Sequence, residues 1–103
     1  MDPVLESFLK AIKPCRPKLK SITLFGSRAR GDDRPDSDYD LLLVTTKRDQ
    51  DLNDRLYDGV MDVLLSTGRL VSLKLFTESD YQRLSSIPTP FMSRVMKEGI
   101  KIG

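Results

Sequence analysis

Histidine is absent from this 103-residue chain, and cysteine occurs once, at Cys15. Losing histidine removes the commonest general base, so any proton transfer would fall to a carboxylate or to water. It also makes a zinc site unexpected. One thiol cannot close an internal disulfide, and a reducing cytoplasm is the default compartment. Long hydrophobic runs are missing as well. The longest, Leu41 to Val44, is far too short to span a bilayer, and Met1-Asp2-Pro3 opens without a basic, apolar leader. Charge of one sign is not in excess: 17 Lys and Arg against 15 Asp and Glu leave +2, too little to argue for nucleic acid, and the cations are not gathered into one run. What remains, 39% hydrophobic and 31% charged residues, describes one ordinary soluble domain spanning 1–103, too short for separate catalytic and substrate domains.

The chain is organised around Ser21 to Val44. An apolar strand, about Ser21 to Phe25, stops at a Gly26-Ser27 turn. A charged loop from Arg28 to Ser37 follows, with at most a turn of helix after Ser27, and a second strand runs from Tyr39 to Thr45. Side chains alternate along a strand, so Asp38 and Asp40 point to one side. Two neighbouring carboxylates repel, and a bound cation relieves the repulsion. The Gly26-Ser27 turn offers backbone N–H groups and a hydroxyl, with Arg28 and Arg30 close behind, which suits phosphates. Cation and phosphates side by side suggest a magnesium nucleotide. Asp32, Asp33 and Asp36 read as solvated loop charges. Arg28 fits a phosphate contact or a salt bridge equally well, whereas Arg30 fits the salt bridge better.

Around this stretch the pattern is legible in order. Asp2-Pro3 caps a first helix whose apolar face is Val4, Leu5, Phe8, Leu9 and Ile12. Pro14 to Lys20, with two prolines and three cations, reads as a solvated connector in which Cys15 is a bystander. Leu41 to Val44 is apolar on both faces and predicts a central strand. The longest helix is expected to be capped by Asp51, with Asp54 as a capping-box partner. It buries Leu52, Leu56, Val60, Val63 and Leu64, and stops at Gly68; Asp58 and Asp62 form a solvated flank. Leu70 to Phe76 alternates as a third strand. Thr77 caps a short helix with Phe76 and Tyr81 at staple positions, and Thr89-Pro90 starts a last helix burying Phe91, Met92, Val95 and Met96 before Gly99 and a tail. The order α-β-β-α-β-α-α implies an α/β (α+β) fold, a small mixed sheet with helices packed on it. Leu84, Ile87, Phe91 and Met92 are candidates for a homodimer or partner contact, although closing the chain's own core suits them better.

Gly26-Ser27, ten further residues and then Asp38-Tyr39-Asp40 resemble the G-S-x10-D-x-D signature of the DNA polymerase beta-type nucleotidyltransferase superfamily. The text Gly-Ser-Arg-Ala-Arg-Gly and the chain length look most like its minimal, MNT branch. The resemblance implies a polymerase-beta-like fold and transfer of a nucleoside monophosphate, AMP from Mg-ATP in the first instance, to an acceptor hydroxyl. Carried onto this chain, Gly26, Ser27 and Arg28 would hold the nucleoside triphosphate. Asp38 and Asp40 would be the catalytic pair and the ligands of one or two Mg2+ ions. MNT antitoxins similar to this sequence AMPylate a HEPN-type toxin, so such a toxin is the implied partner.

One departure matters. The resemblance places a third carboxylate on the following strand, where this chain has Ser72, or Lys74 on the same face, and no acid from Leu70 to Phe76. A lysine there disfavours a second divalent ion. Two function classes therefore stand: an ATP-using transferase, favoured by the intact Gly-Ser and D-x-D, and a binding module acting by contact or sensing nucleotide, favoured by the empty third position.

Overall fold

In the computed structural model, residues 2–32, 34 and 37–103 are described. Helix α1 (Pro3–Ala11) begins where Asp2 accepts from the Val4 amide at 2.7 Å, with Pro3 in the first turn. A short 3-10 helix, Lys13–Lys18, then leads into strand β1 (Leu19–Phe25). Helix α2 (Ser27–Arg30) is a single turn, and strand β2 (Tyr39–Thr45) follows the loop. Helix α3 (Gln50–Thr67), strand β3 (Val71–Thr77), helices α4 (Glu78–Ser85) and α5 (Pro90–Glu98) and a two-residue strand β4 (Ile100–Lys101) complete the chain.

The sheet order is β3-β2-β1-β4. β1 runs antiparallel to β2 and β4, whereas β2 and β3 are parallel, joined through α3, so the sheet is mixed. β2 is central, and its side chains from Leu41 to Thr45 are all buried, as an unbroken apolar run demands. Its alternation divides the core. Tyr39, Leu41 and Leu43 face Leu5, Phe8 and Ile12 of α1 and Leu52, Leu56 and Val63 of α3. Leu42 and Val44 face Val95 and Phe91 of α5, with Phe76 and Tyr81. Asp40 belongs to this second face, at the end of the strand where the apolar packing stops.

Between α1 and α3 the helices close to contact at Gly59, where a Cβ would lie 2.7 Å from Ile12 Cγ2. Thr77 and Thr89 cap α4 and α5, accepting from Asp80 and Met92 amides at 3.2 Å each, and Gly68 ends α3 at φ 72°.

Four details differ from the expectations. Asp49, not Asp51, caps α3, accepting from the Leu52 amide at 3.1 Å; Asp54 accepts instead from the Gln50 side chain at 2.8 Å, and Asp51 pairs with Arg55. The Pro14–Lys18 segment is helical and buries Cys15 to 4% exposure: Pro14 lies in the first turn, where its missing N–H costs nothing, and the cations lie outward. Met96 is not buried but 66% exposed, while Met92 and Val95 carry the packing of α5. The tail is sheet: Ile100 pairs with Leu24 and Lys101 with Thr23, and Ile102 donates to the Ile22 carbonyl at 2.9 Å. Of the proposed contact residues, Met92 is buried, Phe91 packs against the core, and Ile87 is exposed. Among the described residues, no helix is long and apolar enough to cross a membrane.

Candidate functional site

The turn after β1 and the start of β2 meet because Phe25 and Asp40 are cross-strand partners in the antiparallel register. Gly26 leaves the strand at φ 77° and ψ −159°, a backbone region essentially restricted to glycine. The absent side chain has a second use. A Cβ there would fall 2.5 Å from Asp40 Oδ2 and 3.3 Å from its Cγ, so the carboxylate lies directly against the bare turn. The Gly26 carbonyl accepts from the Ala29 and Arg30 amides at 3.1 Å each, which starts α2. The amides of that first turn have no acceptor within the helix. Ser27 opens the turn half-exposed.

Asp38 is exposed, one residue before β2, and Asp40 is half-buried within it. Burial pushes the Asp40 carboxyl above its usual range, and the neighbouring Asp38 charge pushes it further; Lys74 and Arg30 pull the other way. A carboxylate held in that state gains from a cation beside it, which is what two acids at the mouth of a buried strand imply. The donor set fits one hard cation whose remaining positions go to phosphate and water. It does not supply a protein cage: among the described residues, no three His, Cys, Asp or Glu side chains group as metal ligands. Ser72 stands directly across from Asp40 in the parallel β2–β3 register, and Lys74 is paired one step further along the same face.

The two arginines after the turn divide their work. Arg28 stacks over the Tyr39 ring, 3.9 Å from its centroid, and donates to the Ser37 carbonyl through Nε at 3.1 Å and Nη2 at 2.9 Å. It therefore ties the loop back onto β2, and any phosphate contact would be made from that anchored position. Arg30 forms the salt bridge its place suggests, to Asp32 at 3.2 Å, and a second to Glu98 of α5 at 3.4 Å. Asp33 and Asp36 lie outside the described residues.

The sequence did not disclose the far wall of the site. A cleft of about 320 Å³ opens beside Gly26 and Asp40, with Phe25 at its base and Phe91, Arg94 and Glu98 of α5 along one side. Phe91 stands edge-on to Phe25, ring centres 5.6 Å apart. Only the apolar period of α5 was readable, and which sheet face that helix covers depends on the whole topology. Tyr39 is the other residue the pattern hid: its hydroxyl donates to Asp2 at 2.7 Å, fixing the strand between the two aspartates to the cap of α1.

The family model described as Polymerase beta, Nucleotidyltransferase matches residues 8–103. A Methanocaldococcus jannaschii protein provisionally named a protein adenylyltransferase is 34% identical over 99 residues, 95% of this chain and 93% of its own. A toxin–antitoxin crystal structure with AMP-PNP superposes at a TM-score of 0.58 with 22% identity, over 93% of this chain and 69% of that one. A mutant of the MntA-HpeT toxin–antitoxin gives 0.57 at 19% identity, over 96% and 71%. At those identities the two structures speak to fold alone, whereas the family match covers nearly every residue, from Phe8 in α1 to Gly103. With the Gly26 turn set against Asp40 on adjacent strands, the chain belongs to the polymerase beta nucleotidyltransferase family.

Proposed function

We propose that this chain transfers a nucleoside monophosphate, AMP in the first instance, from a magnesium-bound triphosphate to a hydroxyl of a partner protein or small molecule. The observation that carries the reading is the close approach of the Asp40 carboxylate to the Gly26 turn, which supports a bend suited to phosphate working beside an acid suited to a cation. Gly26 and Ser27 receive the phosphates, with Arg28 behind them. Asp38 and Asp40 hold the divalent ion. Mg2+ bound there would draw charge off the phosphate oxygens. In the transfer, the acceptor oxygen bonds to the α-phosphorus, the bond from that phosphorus to the bridging oxygen breaks, and pyrophosphate leaves. The hydroxyl proton passes to water or a carboxylate, since the chain has no histidine.

The partner we propose is a HEPN-type toxin, in keeping with the toxin–antitoxin assemblies that share the fold. Residues 1–103 act as one cytoplasmic domain in this reading, and Ile87, exposed at the α4–α5 turn, is a point where a toxin or second copy could rest.

Ser72 opposite Asp40 favours a second reading, a nucleotide-binding antitoxin that acts by contact, because the β3 position facing Asp40 carries no acid. Incubation with labelled ATP and Mg2+, alone and with a candidate HEPN protein, separates the two. Label on the partner, lost with Asp38→Ala and Asp40→Ala together, supports transfer. Binding of the nucleotide without label supports the contact reading, and a double variant that binds magnesium nucleotide like wild type places the site elsewhere.

A further inference from the structure

Among the described residues that line the cleft beside Asp40, one cation makes no ion pair. Arg30, at its edge, is committed to Asp32 and Glu98. Arg94 lines the same cleft from α5, is exposed, and has no hydrogen-bond or ion-pair partner among the described residues. Glu98, one helical turn further along and well placed to pair with it, is turned to Arg30 instead. A guanidinium left open beside the phosphate-binding turn presents a planar fork of N–H donors, the geometry that grips phosphate oxygens two at a time. We propose that Arg94 is a substrate-binding residue that holds the terminal phosphates of the nucleotide against the Gly26 turn, so that α5 supplies one jaw of the site and selects triphosphate over monophosphate.

This rests on the nucleotidyltransferase reading above, and the test keeps the two apart. Binding of Mg-ATP, Mg-AMP and inorganic tripolyphosphate is measured by calorimetry for wild type, Arg94→Ala, Arg94→Lys and the Asp38→Ala/Asp40→Ala pair. Loss of charged hydrogen bonds should weaken ATP and tripolyphosphate roughly tenfold to a hundredfold in Arg94→Ala, leaving AMP within about twofold. Arg94→Lys should recover part of the loss. The thermal midpoint should not move, because the side chain is exposed and makes no hydrogen bond or ion pair among the described residues.

If Arg94→Ala binds ATP and tripolyphosphate like wild type while the aspartate pair loses Mg-dependent binding, the role of Arg94 fails and the proposed function stands. Equal weakening of AMP and ATP also overturns it, because the contact then lies off the terminal phosphates. A wild-type protein that binds none of the three sinks both.

Discussion

Tyr39 and Asp2, 37 positions apart, share a hydrogen bond of 2.7 Å in which the phenol donates to the carboxylate. Burial pushes the Asp2 carboxyl up, but bonds from Tyr39 and from the Val4 and Leu5 amides outweigh it, and the group ends below its usual range. An acid depressed by folding stabilises above its unfolded pKa and loses that contribution as pH falls through the folded value. Tyr39→Phe should therefore cost about 1 kcal/mol at neutral pH. In urea titrations the gap between variant and wild type should narrow below about pH 4. A gap unchanged down to pH 2 would refute the link. Tyr39 itself is raised, chiefly by burial and then by Asp2, so wild-type stability should decline above about pH 10, where the unfolded phenol ionises first.

Gly26 answers to two constraints at once. Its φ of 77° with ψ −159° costs any other residue about 1–3 kcal/mol, and a methyl group would collide with Asp40 Oδ2. Gly26→Ala should lower stability by that amount and also weaken Mg-dependent ATP binding, since Asp40 must move. Gly31→Ala is the control: its φ is 82°, yet a Cβ would meet nothing within 4 Å. If both variants bind nucleotide alike, the contact with Asp40 has no bearing on the site.

Ser72→Asp restores an acid opposite Asp40. Three carboxylates in one place should lower the metal-free thermal midpoint and raise Mn2+ uptake, and label transfer should increase if wild type has any. The ligand account fails if neither Ser72→Asp nor Lys74→Asp changes an otherwise active protein.

Gly59 is a case where helix propensity and packing disagree. Glycine to alanine inside a helix ordinarily gains about 1 kcal/mol. Here the new methyl would press on Ile12 Cγ2 between α1 and α3, so overpacking should give a net loss of about 1–2 kcal/mol. Gly59→Ala melting above wild type would show that the two helices can part without cost.

The strand and cap chemistry was legible because it is local. Tyr39 to Thr45 is strand over its full predicted length, and Thr77, Thr89 and Gly68 act where their types and positions said they would. The Gly26–Asp40 approach was also readable, since spacing and alternation bring the turn and the acid together. What escaped depends on tertiary contacts. Two prolines among cations gave no hint that Cys15 would be buried, a two-residue strand is too short to show a period, and Asp49 and Asp51 are equally good caps until the chain direction after β2 decides between them. Nothing near Arg94 in sequence tells which face of the sheet α5 covers.

Arg30 bonds Glu98 across 68 positions of chain, linking the single turn of α2 to α5 over the rim of the cleft. Both side chains are about a third exposed, and solvent screening leaves such a pair little net hold. A polyanion entering from solvent can displace the glutamate for so little that the guest itself loosens the fastening. Added salt should loosen it too, while Phe91 and Val95 keep α5 seated on the sheet, so the tether yields and the wall behind it stays.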